Sequence, residues 1–188
     1  MKTFTSFTRA FTTGAIATAA ALSLAAAAQA GPAEPDVPAG IDVESGNKVF
    51  LVAHADGVQI YSCNATAGGY AWGLVAPRAN LYDDHGTLLG THFAGPTWQA
   101  RDGSSVRAQR VGDPVTVDPT AVPWLLLKAV STTSGPDGDR LTATTFIQRI
   151  NTVGGLVPAA QTCNATTVGN RYESAYTADY YFWKKDTR

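Results

Sequence analysis

The side chains able to do chemistry gather in one short run, Gly90-Thr91-His92-Phe93-Ala94-Gly95-Pro96-Thr97-Trp98-Gln99-Ala100-Arg101-Asp102-Gly103-Ser104. An imidazole, a large ring, a guanidinium and a carboxylate are interrupted there by Gly95-Pro96 and Asp102-Gly103, dipeptides that mark turns. Loops carried by a rigid scaffold are where binding and catalytic groups concentrate. A hydrogen bond from His92 to Asp102 would orient the imidazole for acid or base work. The same pair could instead be a structural clasp that pins the loop. Trp98 reads as a stacking platform for a sugar or another ring, or as a core plug, the commoner fate of large aromatics in small β-proteins.

The remaining titratable groups sit at turns: His54 and Asp56 at one, Asp83, Asp84 and His85 at another. Imidazole and carboxylate are the usual ligands of zinc, copper and iron, so a fold that gathered these groups could hold a metal. Turn chemistry accounts for Asp83, Asp84 and His85 without one, because short polar side chains satisfy local backbone groups. No metal site is therefore expected. Asp137-Gly138-Asp139 lacks the later acidic ligands of a calcium loop. No serine has the flanking glycines of a nucleophile elbow, and the chain has no phosphate-binding loop or dinucleotide fingerprint. No cofactor is expected.

The elements that must position these groups read as strands. Val49 to His54 is a short apolar run, Ala55-Asp56-Gly57 has the composition of a hairpin turn, and Val58 to Cys63 alternates with period two. Tyr70 to Leu74 alternates large with small. Leu81-Tyr82 enters the polar turn Asp83 to Gly86, and Thr87 to Phe93 returns. On that return Leu89, Thr91 and Phe93 share what reads as the core face, which puts His92 on the other. Ser105 to Arg110 alternates as an edge strand does. Trp124 to Val130 is the most apolar strand, Leu141 to Ile150 is β-branched and threonine-rich, and Tyr172 to Trp183 carries aromatics on both faces, as a strand covered on both sides would. Helical periodicity is absent from the chain after its leader. Hairpin-linked strands predict an all-β, antiparallel sandwich or closed barrel with little helix, and periodicity does not choose between the two.

At the N-terminus, Lys2 and Arg9 precede an alanine-rich apolar run, and Ala28-Gln29-Ala30 is a small-x-small cleavage pattern. Residues 1–30 read as a bacterial-style secretory signal peptide cleaved after Ala30. The apolar run is too short and too weakly apolar for a membrane span. Residues 31–47, with Pro32, Pro35 and Pro38, read as an extended, poorly ordered segment, and residues 48–188 as a single all-β domain. Without Lys2 and Arg9 the 14 basic residues fall to 12 against 15 acidic ones, a net charge of −3. That balance offers no basic footprint for nucleic acid. Cys63 and Cys163 are the only two cysteines, and export would place them where disulfides persist, so they are expected to pair with each other.

Beyond composition and periodicity, several motifs are shared with known sequences. Asp56-Gly57-Val58-Gln59-Ile60-Tyr61-Ser62-Cys63, Trp72 with Ala76-Pro77, His92 to Trp98, Asp102-Gly103-Ser104, Pro123-Trp124-Leu125-Leu126, Ile147-Gln148-Arg149 with Gly154-Gly155, and Tyr176 to Phe182 together resemble a family of secreted bacterial and fungal proteins defined as a domain of unknown function. The resemblance implies secretion and one compact domain, and carries no activity. It also draws Gln148 and Arg149 towards the same site as the central run.

These readings predict a secreted protein, extracellular or in the cell-envelope space. It would bind a small molecule, glycan or surface component through His92, Trp98 and Asp102, with Gln148 and Arg149 facing the same site. The alternatives are a cofactor-free enzyme with His92 and Asp102 as acid and base, and a structural envelope protein. Neither nucleic acid as a partner nor a membrane span in the mature chain is expected.

Overall fold

The alternating runs become eight strands: β1 (Asn47–Thr66), β2 (Gly69–Tyr82), β3 (Leu88–Phe93), β4 (Thr97–Ala100), β5 (Ser105–Val115), β6 (Trp124–Thr133), β7 (Thr144–Gly154) and β8 (Arg171–Lys185). The computed structural model describes residues 1–3 and 31–187, so the expected signal peptide lies outside the described residues save for its first three. Each strand pairs antiparallel with the next, and β8 returns to β1, closing a barrel. Of the two architectures that periodicity leaves open, the chain takes this one. Helix among the described residues is limited to a single 3-10 turn, Ala160–Thr162. Cys63 and Cys163 are disulfide-bonded to each other.

Two sequence expectations are corrected here. Ala55-Asp56-Gly57 is not a turn: β1 runs through it, paired with β2 on one side and β8 on the other. Gly57 is needed for close approach, since a Cβ there would lie 2.2 Å from the Arg78 carbonyl oxygen of β2. Gly90 does the same between β3 and β4, where a Cβ would lie 2.1 Å from the Gln99 carbonyl oxygen. Glycines of this kind, with bulges such as that at Ile60/Tyr61, let strands bend tightly enough to close a small barrel. Ser105 to Arg110 is not an edge, because β5 pairs with both β4 and β6. A closed ring has no edge strands.

An eight-stranded barrel has an interior just wide enough for side chains to fill it, and here small residues on some strands make room for large ones on others. Ala53, Ala55, Ala79, Ala100, Ala108 and Ala178 pack with Trp98, Tyr176, Tyr180 and Phe182. Period-two alternation sends the intervening residues outward, where Leu126, Phe146, Ile150 and Trp183 form a second, outer core. Residues 31–46 cover it, with Ile41 fully buried and Val37 and Val43 packed alongside. The segment that its prolines predict to be poorly ordered is therefore fastened to the barrel. The aromatics on both faces of β8 are explained by these two layers.

At the end of the barrel carrying the β2–β3, β4–β5 and β6–β7 connections, Leu141 is buried as a plug. A void of about 10 Å³ remains beside it, lined by Leu51, Ala53, Leu81, Leu89 and Phe182, room for no more than one water. That half of the interior is filled.

Candidate functional site

The other half of the interior is polar. Gln59 and Tyr61 reach it from β1, His92 from β3, Trp98 from β4, Arg149 from β7, and Tyr176 and Tyr180 from β8. His92 stacks on Trp98 with ring centroids 4.1 Å apart and planes 11° from parallel, and both meet the edge of Tyr180, at 5.1 and 5.3 Å. The face assignment drawn from sequence holds at Leu89, which packs against the inner core, and is reversed further along the strand: His92 is 4% exposed and Phe93 38%. His92 Nδ1 lies 2.9 Å from the Thr97 carbonyl oxygen. A carbonyl only accepts, so Nδ1 carries the proton and Nε2 the lone pair. Burial pushes the imidazole down to about 3, the Thr97 carbonyl pulls the other way, and the charge of Arg149 adds to the fall. His92 is neutral at pH 7.

Backbone geometry closes the cluster on one side. The Tyr61 hydroxyl donates to the Gly155 carbonyl at 2.8 Å. Gly155, at φ +78°, has Tyr176 Cβ 2.8 Å and Gln59 Cγ 3.2 Å from where its own Cβ would stand. Arg149 Nη2 donates to the Pro123 carbonyl at 2.7 Å, and the two tyrosine hydroxyls of Tyr176 and Tyr180 lie 3.4 Å apart. Burial raises the pKa of Tyr61, Tyr176 and Tyr180, while the Arg149 charge lowers each. Three buried donors, Gln59 Nε2, Trp98 Nε1 and Arg149 Nε, find no hydrogen-bond partner among the described residues. Arg149 is part-exposed as a residue, though its Nε is buried, and the six others named are buried.

Asp102 and Gln148 lie elsewhere, and the expected bond between His92 and Asp102 does not form. Asp102 accepts from the Ser104 amide at 2.9 Å, the Ser104 hydroxyl at 2.6 Å and the Arg140 amide at 2.9 Å. The Ser104 hydroxyl in turn accepts from the Leu141 amide at 3.2 Å. These bonds lower the carboxyl's pKa, the Ser104 hydroxyl most, and they tie the β4–β5 turn to the segment that carries the Leu141 plug. Asp102 is a clasp, with a different partner from the one its spacing suggested. Gln148 faces the outer core: its amide donates to the Ile41 carbonyl at 2.7 Å and its oxygen accepts from Trp183 Nε1 at 2.9 Å. Adjacent residues of a strand point to opposite faces, so Gln148 and Arg149 cannot share the interior. Gln59, Tyr61, Tyr176 and Tyr180 are cluster residues that the sequence reading passed over. For Gln59 the available signal was its place on the face of β1 opposite Val58 and Ile60, shared with Tyr61.

The three histidines do not gather. His85 is exposed on the β2–β3 turn, and His54 is on the outer surface between two carboxylates, with Nδ1 2.6 Å from Asp179 Oδ1 and Nε2 2.7 Å from Asp84 Oδ1. Asp179 is oriented by Asn151 Nδ2 at 2.8 Å, from a backbone at φ 50° that asparagine tolerates. A neutral imidazole has one N–H and so can donate to only one of the two carboxylates, whereas the imidazolium can donate to both. The Asp84 and Asp179 hydrogen bonds accordingly raise the His54 pKa above its ordinary 6.5. A raised folded-state pKa gives stability that is fully present below 6.5 and is lost as pH rises through the folded value. Melting temperatures from pH 5 to 9 should show the wild type losing its advantage over His54→Gln as pH rises. An advantage independent of pH would exclude the clamp.

The family model described as "Protein of unknown function (DUF3455)" matches residues 44–184. The chain belongs to that family. The matched span takes in β1 from its first residue and reaches into the end of β8, so the DUF3455 match contains the barrel and every member of the inner cluster. It leaves out Ile41 and Val37, which cover the outer core. No curated protein and no solved structure matches the chain.

Proposed function

We propose that the protein is an exported barrel that binds a small molecule, and that Gln59, Trp98 and Arg149 hold it through an acceptor group. The observation that carries this reading is the set of three donors without partners. Buried polar groups are nearly always hydrogen-bonded, and leaving one unmade costs about 1–3 kcal/mol. Three on different strands, beside stacked rings and a part-exposed arginine, are placed polar groups of the kind that orient a ligand in a site. Of the five residues expected from sequence, His92, Trp98 and Arg149 belong to this cluster. Trp98, 1% exposed, has no open face to offer a glycan at the surface. Acid–base catalysis by His92 gains no support from geometry, since an imidazole at about 3 takes up protons poorly at neutral pH and Asp102 is engaged elsewhere.

Export is supported by the Cys63–Cys163 bridge, because disulfides persist in oxidising compartments. No helix among the described residues is long and apolar enough to cross a membrane.

A high-resolution crystal structure of the full-length product, purified without added ligand, tests the binding reading. Density for a non-water molecule bonded to at least two of the three donors is expected. Ordered water on all three, together with an unchanged melting temperature across a library of acceptor-bearing small molecules, would sink it.

A further inference from the structure

We propose that the molecule held by this cluster is an organic anion, a carboxylate on an apolar or aromatic body; this rests on the binding reading above. The three unpartnered atoms, Gln59 Nε2, Trp98 Nε1 and Arg149 Nε, are all donors. A ligand group that itself donates would leave them as they are, whereas one with two acceptor oxygens can serve more than one at once.

Charge sharpens the choice from acceptor to anion. Among the described residues no ion pair includes Arg149. Its partners are neutral: the Pro123 carbonyl, to which Nη2 donates, and the Tyr180 hydroxyl. Its charge is felt by His92, Tyr61, Tyr176 and Tyr180, none of which is anionic at neutral pH. A guanidinium partly removed from water without a counter-charge is unfavourable, and a carboxylate offsets this while accepting in its plane. With Nη2 engaged by Pro123, the Nε–H is a free donor on the fork. The rings beside the donors, the His92–Trp98 stack and Tyr180, favour an aromatic body on the anion. Inorganic anions would satisfy the charge and leave those rings unused.

An isosteric pair separates charge from shape. Benzoate and benzamide, and phenylacetate and phenylacetamide, would be titrated calorimetrically into the full-length exported protein at pH 7. Each acid is expected to bind about tenfold or more tighter than its amide, the difference between charged and neutral hydrogen bonds. Arg149→Gln should abolish the preference, and Gln59→Leu should weaken the acid while keeping it. Because the wild-type comparison stands alone, a variant that fails to fold leaves the test intact. Amides binding as tightly as acids, or sulfate competing as effectively as benzoate, would overturn the carboxylate while leaving an acceptor-binding barrel. Failure of every acid and amide in wild type, with water on all three donors, would overturn both.

Discussion

Replacing Cys63 and Cys163 by serine should lower the stability of the barrel by about 4 to 5 kcal/mol without changing its β-type dichroism at 25 °C. The bridge spans 100 residues of sequence, and constraining an unfolded loop of that size is worth about 4.7 kcal/mol in the chain-entropy model. Native contacts around it should survive. Cys63 and Asn170 share a backbone hydrogen bond of 3.0 Å, Gly169 donates to the Cys63 carbonyl at 2.8 Å, and Trp72 Nε1 donates to Thr162 at 3.0 Å. The loss therefore falls on the unfolded state, and a drop in melting temperature of roughly 10–18 °C is expected for a domain of this size. Urea titration of oxidised protein and the double serine variant measures it. A difference below about 1 kcal/mol would mean that the unfolded chain is already compact around these positions.

Trp98→Ala should cost about 3 to 5 kcal/mol, the range for deleting a large aromatic from a core. Its ring is stacked on His92 and meets Tyr180 at 5.3 Å and Phe182 at 6.3 Å edge-on, so the vacated space borders three rings that cannot all collapse into it. Trp98→Phe keeps part of the packing and removes the unpartnered Nε1, and it should lose far less. Equal losses from the two variants in urea denaturation would show that the indole is not packed as described. Since Trp98 serves both core and cluster, ligand affinity is better probed at Gln59 and Arg149.

Most of the strands were readable because they are long enough to show their alternation; β4, four residues between two turns, was not, and read as loop. The β2–β3 turn, the apolar β6 and the two aromatic faces of β8 all stand where the pattern puts them. What misled was the assumption that the more apolar face is the inner one. On β3 the inner face is Gly90 and His92, since the lumen at that level accepts a stacked imidazole, while Leu88 and Phe93 are left exposed. Asp56-Gly57 mimicked a turn because a glycine required for close approach and one required for a reversal are the same letter. Beyond the local bonds of Asp102 to Ser104, the partners of Asp102 and His54 lie at Arg140, and at Asp84 and Asp179. Those distances in sequence are set by register and barrel closure, which local pattern does not encode.

Barrel closure also bears on the order in which the chain can fold. Seven of the eight strand pairings join neighbours in sequence and can form as successive hairpins, but β1 and β8 are the exception. Their pairing runs from Asn47 with Lys185 to Ser62 with Arg171. Until β8 has emerged, the longest strand of the protein has one side unsatisfied, and the loop that must close is nearly the whole domain. Contacts of that range are formed late and slowly. During that interval the bare flank of β1 is a template for another chain, and dilution or a chaperone would govern the yield of the closed barrel.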